Sequence, residues 1–147
     1  MTEKNNREFY SRINNNRRAI MGRGGASNCI GTALFLVGEQ PTDDFIYGRG
    51  LDGNFPLGMD HTDYIESMEE IPEPKTGCLV AWENIGKNII HLGVIVNQNP
   101  ILVAHRDGAN GPFYKSMPLD KVNETYDAGN VRIRYFIPPK LKGVSTL

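Results

Sequence analysis

Three residues of this chain have types and placement that suit nucleophilic catalysis: Cys29, His91 and His105. Cys29 lies in the stretch Gly24-Gly25-Ala26-Ser27-Asn28-Cys29-Ile30-Gly31-Thr32-Ala33-Leu34-Phe35-Leu36-Val37-Gly38. This reads as a glycine-rich approach, a helix start and a short helix apolar on every side, hence buried. Ser27 or Asn28 can cap the helix and Gly38 can stop it. A thiol in the first turn faces free N–H groups and the positive end of the helix dipole. Both favour the thiolate, which is the nucleophilic form. The competing reading is a small core side chain, since free cysteines are often buried.

His91 interrupts the apolar run Ile89 to Val96, on the face that carries Ile89, Gly93 and Ile95. His105 ends the run Ile101 to His105, on the face of Ile101 and Val103. In an antiparallel hairpin the two faces match only when paired residue numbers have an even sum. Pairing Ile95 with Ile101 leaves Val96 to Pro100 as the loop and sets His91 opposite His105. Opposed Cβ atoms lie about 4.5–5.5 Å apart, so the imidazoles become neighbours. Gly93, without a side chain, would let the cysteine helix approach beside them. A thiolate can then attack a carbonyl carbon while His91 exchanges the proton and His105 fixes the tautomer and orientation of His91. Two alternatives use the same residues. One is a pair of hydrogen-bonded core histidines beside an unrelated cysteine. The other is zinc, for which Cys, His and His are a permissible set, but the usual Cys-x-x-Cys or His-x-x-x-His spacing is absent.

The elements that must position these residues follow from periodicity. Residues 3–20 read as a packing helix, with Phe9, Ile13 and Ile20 roughly on one side. Met21 to Gly25 is a loop. Residues 39–76 form a long irregular insert rich in Gly and Pro, expected to border the cleft. Within it Asp60 can cap a short helix bearing Ile65 and Met68, and His61 reads as a surface loop residue. From Gly77 the period changes to that of strands: Cys78 to Glu83, Ile89 to Val96, Ile101 to His105, Phe113 to Met117 and Val131 to Ile137. Pro118 to Val122 suggests a helical turn, and Pro138-Pro139 ends the last strand. Helices first and an antiparallel sheet after them is an α+β layout, and the length suits one domain spanning 1–147.

Composition narrows the partners. A net charge of −1 gives no nucleic-acid or anionic-membrane surface. The longest apolar runs are well short of a membrane span. The two cysteines, Cys29 and Cys78, form no disulfide framework, and Cys78 reads as core. The polar start Thr2-Glu3-Lys4-Asn5-Asn6-Arg7 lacks the apolar region of a signal peptide, so the expectation is a cytoplasmic protein or one exported by a signal-independent route.

Three segments, in order, resemble the NlpC-type family of papain-like cysteine peptidases. Gly24-Gly25 with Asn28-Cys29-Ile30-Gly31 resembles that family's Gly-Gly and Asp-Cys-Ser-Gly. Gly77-Cys78-Leu79-Val80-Ala81-Trp82 resembles Gly-Asp-Leu-Val-Phe-Trp. His91-Leu92-Gly93-Val94-Ile95-Val96 with Val103-Ala104-His105 resembles His-Val-Gly-Ile-Tyr-Val followed by Val-His-Ala. The resemblance implies a papain-like α+β fold, with the N-terminal helices, including the nucleophile helix, packed on an antiparallel sheet. It makes Cys29 the nucleophile, His91 the base and His105 the third member, with Asn28 and the Cys29 backbone N–H at the oxyanion and substrate side. It implies no cofactor and no metal. The implied substrate is a peptidoglycan stem peptide, with a protein target and an immunity or inhibitor protein as possible partners, and a monomer is expected. Asn28 and Ile30 depart from the family's Asp and Ser, and Met21-Gly22-Arg23 stands where many members carry a tyrosine. The absent signal favours a delivered toxin or effector. It leaves open a protease or deamidase acting on a protein, and a non-catalytic binding module of the same fold.

Overall fold

The computed structural model describes residues 3–15, 27–43, 46, 59–126 and 130–141. Among the described residues four helices and six strands follow in chain order: α1 (Glu3–Asn15), α2 (Cys29–Leu36), α3 (His61–Glu66), β1 (Glu69–Ile71), β2 (Leu79–Glu83), β3 (Ile89–Gln98), β4 (Ile101–Arg106), β5 (Phe113–Pro118), α4 (Leu119–Tyr126) and β6 (Arg132–Ile137). A short 3-10 turn, Pro139–Leu141, follows β6. The strands form one antiparallel sheet in the order β1-β6-β2-β3-β4-β5. The fold is therefore α+β.

α2 forms because its apolar residues are continuous and its first turn is capped. The Asn28 side-chain oxygen accepts from the Gly31 N–H at 2.8 Å. Gly38 takes φ +82° just past the helix end, a left-handed conformation that glycine adopts without the Cβ penalty. All eight residues of α2 are buried. The helix packs on one face of the sheet with Leu79, Ala81, Leu92, Val94, Ala104 and Phe136, and Phe9 and Ile13 of α1 join the same core. The opposite face carries Val80, Trp82, Ile95 and Val103, covered by Val122 of α4. Period-two alternation thus sends consecutive residues of β2, β3 and β4 into two separate cores.

The sequence places the central strands correctly and compresses several other elements. α1 follows the expected helix over its described part; residues 16–20 and the Met21 to Gly25 loop lie outside the described residues. The 39–76 segment is not wholly irregular. It holds the expected short helix, α3, capped by Asp60 through the Asp63 N–H at 2.8 Å and ending before Met68, and a strand not expected, β1, which pairs with β6. Three residues are too few to show a period, so β1 carries no sequence signal. α4 runs to Tyr126, further than the turn expected at Pro118 to Val122. Among the described residues no helix is long and apolar enough to cross a membrane.

Candidate active site

The two histidines come together, in a register other than the simplest one. β3 and β4 pair Ile95 with Val103 and Val94 with Ala104, while Gln98 pairs with Ile101. A bulge between Ile95 and Asn97 absorbs the extra residue and shortens the loop to Asn99 and Pro100. The register is two residues from the expected one. An even shift keeps the faces, so the imidazoles stay on one side as diagonal rather than direct partners. His91 Nε2 lies 3.0 Å from His105 Nδ1, with the rings edge to face at 88°.

A chain of contacts assigns the protons. His105 Nε2 lies 3.4 Å from the Met117 sulfur, which can only accept. His105 Nε2 therefore carries the hydrogen, and its Nδ1 accepts from His91 Nε2–H. That leaves His91 Nδ1 as a bare lone pair, and this atom is buried without a hydrogen-bond partner among the described residues. His91 itself is fully buried. An unpaired buried acceptor costs about 1–3 kcal/mol, so its presence needs a reason. Tyr126 covers the His91 ring in parallel, with centroids 3.7 Å apart at 9°, and Trp82 leans on it at 5.0 Å. Tyr114 stacks on His105 at 5.4 Å.

Gly93 serves a different neighbour from the one expected. A Cβ there would meet Val103 Cγ1 at 2.6 Å and His105 Cβ at 3.3 Å. The missing side chain makes room for β4, not for the cysteine helix. α2 covers the other face, through Leu92 and Val94, because residues 91, 93 and 95 alternate away from it. Cys29 meets β3 at its backbone, with the Leu92 and Ile30 N–H groups turned to the sulfur. Among the described residues no hydrogen bond joins Cys29 to His91. The two share neighbours instead. Leu92 follows His91 directly, Asp107 acts electrostatically on Cys29 and on His105, and the Cys29 thiolate, when formed, acts on Tyr126, which is stacked on His91.

The electrostatics also correct the sequence expectation. Burial pushes the Cys29 thiol up to about 11, outweighing the N–H groups of Leu92, Ile30 and Cys29 itself, and Asp107 adds to the rise. Desolvation wins because the helix start is covered on all sides. Burial, then His105, push His91 down to about 3. Burial lowers His105 too, against Asp107 and the Arg106 backbone. Thiol and imidazoles are all neutral at neutral pH.

Asn28 is fully occupied. Besides capping α2, its Nδ2 donates to the Ile46 carbonyl at 2.9 Å, and its Oδ1 accepts from the Ile46 N–H at 3.3 Å. Its side chain fixes the helix start and is not free for an oxyanion. The start of α2 is gripped again by the loop after β4. Ser27 N–H donates to Asn110 Oδ1 at 3.0 Å, and Asn110 N–H donates to the Ser27 carbonyl at 2.8 Å. Beneath them buried Arg106 donates to Thr32 Oγ1 at 2.7 Å, the Gly111 carbonyl at 3.0 Å and Asp43 Oδ2 at 3.2 Å.

His61, expected on a surface loop, opens α3 with its Nε2 2.7 Å from the Ile89 carbonyl. It thereby ties α3 to the strand that carries His91. Sequence reading missed Tyr126, Asp107, Met117 and the Arg106–Asp43 pair. The Leu119, Val122, Tyr126 spacing is the one signal for Tyr126, since it marks a helical face. Among the described residues no group of three His, Cys, Asp or Glu side chains is arranged to hold a metal ion. Compared with protein-family models, with curated proteins and with solved structures, the chain has no match.

Proposed function

We propose that this chain is a thiol-dependent amide hydrolase of the papain-like, NlpC type, with Cys29 as nucleophile, His91 as base and His105 as the residue that orients it. The observation that carries the reading is the fully buried His91 imidazole, held at Nε2 by His105 and left, among the described residues, with an unpartnered Nδ1. A proton acceptor so arranged, beside the strand residue whose N–H faces the Cys29 sulfur, suits general-base chemistry.

In this reading the resting pair is neutral. As Cys29 Sγ bonds to the carbonyl carbon of an amide, the thiol proton passes to His91 Nδ1. The charge on the carbonyl oxygen is met by the Cys29 backbone N–H at the helix start. Collapse of the tetrahedral intermediate breaks the C–N bond, and His91 returns the proton to the leaving amine. Water then attacks the thioester carbon, giving up a proton to His91; collapse breaks the C–S bond and releases the carboxylic acid, and His91 returns the proton to the Cys29 sulfur. No step requires a metal or a cofactor.

The substrate proposed is a peptidoglycan stem peptide, following the sequence resemblance. The test is mass spectrometry of muropeptides incubated with the wild-type chain and with Cys29→Ala. New fragments from the wild type alone are expected, and their masses locate the bond. Absence of cleavage by either would reject the peptidoglycan assignment and turn attention to a protein substrate.

A further inference from the structure

We propose that Tyr126 is a positioning residue of this site, holding the His91 imidazole by its face while Asp107 fixes the Tyr126 hydroxyl. The proposal rests on the reading of Cys29 and His91 given above. His105 alone cannot set the plane of His91, because a single hydrogen bond at Nε2 leaves the ring free to tilt about it. The Tyr126 ring lies 3.7 Å away and within 9° of parallel, which removes that tilt. The tyrosine is itself tethered. Its hydroxyl donates to Asp107 Oδ1 at 2.5 Å.

The tether leads back to the nucleophile helix. Asp107 begins the loop after β4, and its N–H donates to the Pro112 carbonyl at 3.0 Å, closing that loop. The same loop holds Ser27, two residues before Cys29, through Asn110. One loop therefore grips both the ring that covers His91 and the start of α2. The Tyr126 ring over His91 and the start of α2 that carries Cys29 are thus referred to a common support. A residue that only filled the core would not need the parallel stack on the imidazole.

The test reads the site without a substrate. Iodoacetamide labels Cys29 and Cys78 of the folded chain at neutral pH, and mass spectrometry follows both rates, with Cys78 as the internal reference. Tyr126→Phe removes the tether and keeps the ring, and Asp107 is left in place because its charge also acts on the Cys29 thiol. Tyr126→Phe is expected to slow Cys29 labelling about tenfold, the effect of one hydrogen bond to a charged group, with Cys78 unchanged. Tyr126→Leu, which also removes the stack, should slow it severalfold more. His91→Gln separates the two ideas. Slow Cys29 labelling in His91→Gln with unchanged labelling in Tyr126→Phe leaves the base in place and overturns the role of Tyr126. Unchanged labelling in His91→Gln overturns the reading of His91 as base. Faster labelling of Cys29 in the Tyr126 variants would make the ring a cover rather than a support, and faster labelling of both cysteines would make it ordinary core; either result rejects the proposal.

Discussion

Mild acid should destabilise this fold through His91. Its unperturbed value is 6.5, and burial together with His105 pushes it down to about 3 in the folded chain. The unfolded chain therefore binds the proton first. Stability is complete above 6.5, falls as the pH drops below it, and stops falling once the folded value is reached. At pH 5 the medium is about 1.5 units below the unfolded value, and each unit is worth about 1.36 kcal/mol, so the loss is about 2 kcal/mol. His105, also lowered by burial, adds loss of the same sign. Carboxylates stay mostly ionised in this window and contribute little. The assay is urea unfolding at pH 7 and pH 5, where a loss of this size moves the midpoint by about 1 M. His91→Gln removes the titrating group, and its midpoint should move much less than that of the wild type. Equal shifts in the two proteins would refute the picture of a buried neutral imidazole.

Three further outcomes are expected. Asn28→Ala, which removes the cap of α2 and both bonds to Ile46, should cost about 2 kcal/mol in chemical unfolding; a change under about 0.5 kcal/mol would mean the cap is dispensable. Arg106→Met leaves Asp43 buried without its guanidinium partner and should cost about 3–5 kcal/mol, whereas the double variant Arg106→Met with Asp43→Leu should recover most of it; differential scanning calorimetry of the three chains checks the sign. Gly93→Ala drives a methyl into Val103 Cγ1 and should cost about 1–3 kcal/mol while shifting the imidazole resonances of His105, and an unshifted NMR spectrum would contradict the close approach.

The sequence is most legible where chemistry and period coincide. Asn28 and Gly38 bracket α2 because caps and left-handed stops are properties of single residues. His91 and His105 share a face because any even register gives that result, so an error of two residues did no harm. The bulge at Val96 was invisible, since a bulge inserts a residue without changing composition. The face taken by α2 was also misassigned. Gly93 suggested an open side, but the apolar partners of the helix are Leu92 and Val94, and a strand buried on both faces offers no alternation with which to choose. The thiol's direction of shift turned on desolvation, which depends on how much of the fold covers the helix start. Tyr126, Asp107 and Met117 act through long-range contacts that local pattern does not encode, and Arg106 looks like any strand-end cation until Asp43 is placed beside it.

The strand order has a consequence for the order of synthesis. β6, the last strand, sits between β1 and β2, so β2 keeps one unpaired edge until residues 132–137 have left the ribosome. Cys29, His91 and His105 are all translated before then. Non-local pairings of this kind close late, after their loops have been ordered. A growing chain thus carries Cys29, His91 and His105 well before the sheet that holds both histidines is whole.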